Sequence, residues 1–273
     1  VNRTLLAIDC TQRVSMLVVA RGPVVYERAF EPSKDADREA FWDELRALCD
    51  EAGVEPWQLE AVAVATGPGG FTGLRVSIAF AKAFALAREV PVVAIGSATL
   101  FAASDAVRGG KGPWLVCLAS KSAGAAGSTG AAWSTGAAGS TGAAGSTGAA
   151  GSTGAAGGGS VWCARVTRGD TAAFLEEAGA VVDATGFLPR VSAVTAAGGV
   201  VLCDEHLDPG LAALIRQGDG HTRGLLVDPC ALALLAQLAL SRGDTVDPMK
   251  LSAIYPREPE AVTKWRERHG PKH

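Results

Sequence analysis

The chain has 273 residues, 48% of them hydrophobic, and a formal net charge of −3. That is enough apolar material for one large core or two smaller ones. The slightly acidic balance excludes the strongly basic character of a stand-alone nucleic-acid binder, and no apolar run reaches membrane-spanning length without a charge or a turn signal.

The six cysteines, Cys10, Cys49, Cys117, Cys163, Cys203 and Cys230, show no CxxC or zinc spacing. Several lie in apolar runs, where a free thiol behaves as a small core residue. The chain opens directly on a strand pattern rather than a signal-peptide pattern. A soluble cytoplasmic protein is the expectation.

In chain order, residues 5–10 read as a buried strand. Residues 14–20 and 24–30 follow, separated by Arg21-Gly22-Pro23, and complete a three-strand meander. Residues 37–52 read as a helix, with Ala40, Phe41, Leu45 and Leu48 along one side and Gly53 as its stop. A strand at 59–65 leads through Gly67-Pro68-Gly69-Gly70-Phe71-Thr72-Gly73 into a helix at 74–88. A strand at 90–95 and a helix from Ser97 to about residue 106 complete a first lobe, residues 1–106.

A second lobe, residues 107–250, begins with a strand at 114–118. It is interrupted at 122–160 by a Gly/Ala/Ser/Thr repeat that lacks charge and, except for Trp133, large apolar residues. Such a block cannot form a core and reads as a flexible linker or loop insertion. The strand at 161–166 is expected to pair with 114–118, which places the insertion at a hairpin tip. Short strands at 180–182 and 199–203 and an apolar helix at 228–240 follow, with a C-terminal segment at 251–273. The basic run 264–272 within it reads as a solvated tail.

The turn glycines Gly67, Gly69, Gly70 and Gly73 bring backbone close to a neighbour. That neighbour is either an anion at the helix N-terminus or another part of a protein. A dinucleotide fingerprint needs glycine where Thr72 stands, and a P-loop needs a lysine that the turn lacks. Pro68 also removes one N–H from any phosphate cradle. These mismatches favour a packing turn. The helix it launches is apolar around most of its circumference, so it is either fully buried or shared between the sheet and a partner.

Catalytic constellations are sparse. There is no G-x-S-x-G, and His206, His221, His269 and His273 form neither H-E-x-x-H nor a histidine pair on one helix face. Asp9, at the end of the first strand, is a weak candidate for orienting a metal or water. Its alternative role is to accept hydrogen bonds within its own turn.

Four stretches together resemble the TsaB (YeaZ) family: Leu6-Ala7-Ile8-Asp9, residues 62–76 with Gly-Phe-Thr-Gly-Leu-Arg, residues 90–97, and residues 254–261. The resemblance is good over 1–118, moderate at the end and weak between. It implies an α/β, two-lobed actin-like (ASKHA, ribonuclease H-like) fold with mixed sheets. It also implies a non-catalytic subunit, without a cofactor of its own, in the threonylcarbamoylation of tRNA adenosine 37 (t6A). The implied partners are a TsaD-like catalytic subunit and a TsaE-like ATPase. A homodimer is a further expectation, with tRNA met only through the complex. The implied interface comprises Phe41, Leu45 and Leu48 on one helix and Arg75, Ile78, Ala79 and Lys82 on the next.

The chain departs from that family where a histidine is usual near the first helix, since Asp35-Ala36-Asp37 stands there. It departs again at the second-lobe hairpin, where Ala119-Ser120-Lys121, the repeat and Val161-Trp162 replace the usual Asp-Ala-Arg and Glu-Val-Tyr. The competing reading is an ATP-dependent phosphotransferase or ATPase on the same fold. A metalloprotease reading lacks ligands in the sequence.

Overall fold

The structure, a computed structural model, describes residues 3–31, 37–120, 159–169 and 174–256, together with 265, 268 and 269. The insertion at 122–158 and most of the segment beyond residue 256 lie outside the described residues.

The first sheet contains β1 (Thr4–Asp9), β2 (Ser15–Arg21), β3 (Val24–Phe30), β4 (Ala61–Gly67) and β5 (Val92–Gly96), in the order β3-β2-β1-β4-β5. The meander is antiparallel, and β4 and β5 run parallel to β1. Helices α1 (Asp37–Ala52) and α2 (Phe71–Arg88) connect the strands as crossovers, which parallel neighbours require.

The central strands are buried on both faces, which is why they read as unbroken apolar runs rather than alternating ones. The two faces carry separate cores. Leu6, Ile8, Leu17, Val19, Val62 and Val64 form one core with α1 and α2. Ala7, Ala20, Ala61, Ala63 and Ala65 lie on the other, among the larger Leu5, Met16, Val18, Val93 and Ile95.

The second sheet repeats this plan. Its strands are β6 (Trp114–Ser120), β7 (Ser160–Arg168), β8 (Phe174–Glu176), β10 (Val200–Cys203) and β11 (Thr222–Gly224), in the order β11-β10-β6-β7-β8. β9 (Ala180–Val182) also pairs with β7. Matching β6 to β1, β7 to β2 and β10 to β4 reproduces the antiparallel and parallel pairings of the first sheet. Ser120 lies opposite Ser160, so the insertion joins two paired strands, as the hairpin reading expected.

Two further helices lie in the second half, burying Phe187, Val191 and Val194 on one and Leu211 and Ile215 on the other at helical spacing that the sequence reading did not use. α4 (Ala184–Ala196) carries Pro189 inside it, and α5 (Pro209–Gln217) is short. Each is started by an aspartate cap, Asp183 and Asp208, whose carboxylates accept first-turn N–H bonds.

The remaining two helices cross between the lobes. α3 (Ser97–Val107) follows the first sheet but packs Ala98, Phe101 and Ala102 on the second. α6 (Pro229–Arg242) follows the second sheet but packs Leu232, Ala233 and Ala236 on the first. The Asp228 N–H donates to Ser104 Oγ at 2.9 Å where the two helices meet. After α6 the chain stays on the first lobe: Val246 bridges to Val92 and Leu251 enters the core under α2.

Candidate functional site

The C-terminal ends of β1 and β4 meet at the glycine turn. Gly70 N–H donates to the Thr11 carbonyl at 2.8 Å. Gly69 stands against Thr11, and Gly73 against the Cys10 carbonyl, so closely that a Cβ on either would collide with backbone. Gly67, at φ +103°, lies beneath the Ile254 carbonyl, and Ile254 N–H donates to Thr66 O at 2.7 Å. The turn is thus packed between the first hairpin loop and the C-terminal segment. α2 begins at Phe71 rather than Leu74, so Gly73 belongs to its first turn.

Asp9 is completely buried beside this junction. Its Oδ1 accepts the Thr11 hydroxyl at 2.7 Å and the Thr11 N–H at 3.3 Å. Burial pushes its carboxyl up from 3.8 to about 6, and the two Thr11 hydrogen bonds offset only part of that rise. Among the described residues, no group of three or more His, Cys, Asp or Glu side chains is arranged to hold a metal ion.

The second place of interest is the outer face of α1 and α2. The opposite, inner face of α2 buries Leu74, Ser77, Ile78, Ala81 and Ala85. The outer face exposes Thr72, Val76, Ala79, Ala83 and Leu86. Their 4-3-4-3 spacing is that of a helix–helix seam, with alanines at its middle where a second helix approaches most closely. Trp42 of α1, 53% exposed, extends this apolar face through an edge-to-face contact with Phe80, centroids 5.5 Å apart.

This geometry corrects four of the expected interface residues. Phe41, Leu45, Leu48 and Ile78 lie in the first-lobe core, none more than 9% exposed. Their spacing marks the side of each helix that meets the sheet. Ala79 and Arg75 are exposed as an interface requires, and Lys82 is half-buried. Arg75 stacks over the Phe71 ring at 3.6 Å and its Nε donates to the Tyr255 hydroxyl at 3.4 Å. Lys82 Nζ donates to the Met249 carbonyl at 3.5 Å. Trp42, Val76 and Leu86 were not among the expected interface residues. For Val76 and Leu86 the signal was the apolar surplus of α2 left after its sheet-facing stripe is subtracted.

Sequence spacing also concealed a row of thiols. Cys163, Cys117 and Cys203 are register partners on three adjacent strands. All three are free, and burial raises each above the ordinary thiol value, Cys163 to about 11. A protonated thiol is neither a good nucleophile nor a good ligand.

The chain resembles known proteins over parts of its sequence and over most of its fold. The family model for TsaD, tRNA N6-adenosine threonylcarbamoyltransferase, matches residues 33–126. The tRNA threonylcarbamoyladenosine biosynthesis protein TsaB of Bacillus subtilis is 27% identical over 101 residues, which cover 37% of this chain and 44% of that protein. The tRNA N6-adenosine threonylcarbamoyltransferase of Nitratidesulfovibrio vulgaris is 52% identical over 48 residues, 18% of this chain and 13% of that protein. The alignments thus span less than half the length of these curated relatives. A Pseudomonas aeruginosa structure described as similar to peptidase YEAZ superposes with a TM-score of 0.68 at 19% identity, covering 93% of this chain and 100% of that one. YeaZ from the same organism gives 0.63 at 17% identity, covering 93% and 99%. At those identities the likeness establishes the fold alone, an α/β architecture built on two sheets.

Proposed function

Taking the chain as a member of the TsaB (YeaZ) family, we propose that it is a non-catalytic subunit of t6A biosynthesis. In this reading it supports a TsaD-like catalytic subunit and docks to it through the outer face of α1 and α2. The observation that carries the reading is the exposed stripe Val76-Ala79-Ala83-Leu86 beside Trp42, on a helix whose other side already covers the sheet. A contiguous apolar face of this kind marks a protein-interaction surface.

The junction around Asp9 supports the same reading over an ATP-dependent phosphotransferase. The N–H of Gly70 is committed to Thr11, and the glycines that resemble a phosphate loop are filled by hairpin backbone. The same α1–α2 face serves a homodimer when the catalytic subunit is absent. A TsaE-like ATPase joins the assembled pair, and tRNA is met through the complex. The compartment is the cytoplasm.

Titration of the purified chain with a TsaD protein, and separately with ATP, tests this. Association with TsaD that Ala79→Arg abolishes, with no ATP binding by the isolated chain, is the expected result. Tight ATP binding alone, lost in Asp9→Ala, together with no association with TsaD, would establish the phosphotransferase reading instead.

A further inference from the structure

Helix α3 enters between the two sheets without a cap of its own. Its N-cap residue is Gly96, which has no side chain to accept the first-turn N–H groups. The positive end of a helix left in this state favours a carboxylate nearby. One is present, and it comes from the other lobe. Glu176, the last residue of β8, places Oε2 2.8 Å from the Thr99 hydroxyl, which donates to it. Thr99 is the third residue of α3, so the carboxylate lies at the first turn, bonded to a side-chain hydroxyl there.

The same oxygen lies above Gly96. A Cβ built on Gly96 would stand 2.9 Å from Glu176 Oε2, and the three nearest atoms to it all belong to that carboxylate. Gly96 has φ −68° and ψ 136°, a conformation open to any residue. The feature that calls for glycine at 96 is therefore the carboxylate and not the backbone. Glu176 is itself anchored: it pairs with Val166 across β7, and the next residue, Glu177, donates its N–H to the Arg165 carbonyl at 2.9 Å.

We propose that Glu176 is an interlobe latch, a carboxylate of the second sheet that holds the first turn of α3 through the Thr99 hydroxyl and lies over Gly96 where β5 ends. Gly67 and Gly96 are register partners there, so the latch lies beside the glycine turn. Releasing it loosens the end of β8 from the first turn of α3, while Phe174 and the β7 residues Trp162 and Ala164 stay packed with Ala98, Phe101 and Ala102.

Gly96 supplies a test that does not depend on one variant. Hydrogen exchange is measured by mass spectrometry on the wild type, Glu176→Ala, Gly96→Ala and the double variant. Exchange in β1 and β6 reports that each variant is folded. Glu176→Ala is expected to accelerate exchange over residues 97–100 by about fivefold to tenfold, the loss of a charge-assisted hydrogen bond at the first turn and of a favourable charge at the helix start. Gly96→Ala is expected to act in the same direction but by less, because the carboxylate is the far end of a flexible side chain and can shift. The effect of Gly96→Ala should be smaller in the double variant, because the methyl group added at position 96 then meets no carboxylate and only the intrinsic difference between glycine and alanine at an N-cap is left. Wild-type exchange over 97–100 in Glu176→Ala would overturn the latch. So would an effect of Gly96→Ala that is equally large with and without Glu176.

Discussion

The N–H of Gly70 donates to the carbonyl of Thr11 at 2.8 Å, tying the start of α2 to the first hairpin loop. This bond and the adjacent glycine contacts set how close α2 sits to β1. Gly73 faces the Cys10 carbonyl without room for a Cβ. Gly73→Ala should therefore displace α2 and cost about 1–3 kcal/mol, the usual range for overpacking. Urea denaturation should show a lowered midpoint with an unchanged slope.

The two sides of the α1–α2 pair should respond in opposite ways. Leu48 is fully buried in the first-lobe core. Leu48→Ala should cost about 2–5 kcal/mol of stability through the cavity it leaves. Val76 is 44% exposed on the outer stripe. Val76→Asp should change stability by about 0.5 kcal/mol or less yet weaken association with the catalytic partner, as read by calorimetric titration. A Val76→Asp chain that binds its partner normally would remove the outer stripe from the interface.

How much of this was legible in the sequence differs between the two faces. The periodicity of α1 fixes Phe41, Leu45 and Leu48 on one side of a helix. It does not say whether that side meets a sheet or a partner, because both are apolar surroundings and a stripe looks the same toward either. For α2 the all-round apolarity shows that two surfaces are covered. Assigning Ile78 to one and Ala79 to the other takes the position of the sheet. The two residues are adjacent in sequence, and both are apolar.

Asp9 links stability to pH. Its carboxyl is raised to about 6 in the folded chain against 3.8 ordinarily, so the native state holds that proton more tightly than the unfolded state. The contribution favours folding at low pH and is lost as pH rises from about 4 through about 6. The loss amounts to about 3 kcal/mol. Asp9→Asn keeps a neutral side chain at every pH. The difference in unfolding free energy between wild type and Asp9→Asn should change across that window and be flat above about pH 7. A pH-independent difference would mean that the Asp9 carboxyl titrates at the same pH in the native and the unfolded chain.

The cysteines should separate by burial. Cys230 is exposed, whereas Cys117 and Cys163 are buried and burial raises both thiols. A chromogenic disulfide reagent at pH 8 should label Cys230 rapidly in the native chain, and Cys117 and Cys163 only on unfolding. Peptide mapping after partial labelling checks the order. Prompt native labelling of Cys117 would show that the second sheet opens at the α4–α5 face.

Local chemistry alone determined several elements of this protein. Unbroken apolar runs marked the central strands, since a strand covered on both faces has no polar side to show. A helix pattern bounded by Gly53 marked α1, and the clustered glycines marked a close approach between backbones. Tertiary structure decided what was approached. It placed Thr11 and Cys10 against the glycine turn, sent α3 and α6 each onto the other lobe's sheet, and aligned Cys163, Cys117 and Cys203 across strands far apart in sequence. These are long-range pairings. They depend on register, on strand order and on which of two equally apolar surfaces lies nearer, and none of those is carried by the residues of a single segment.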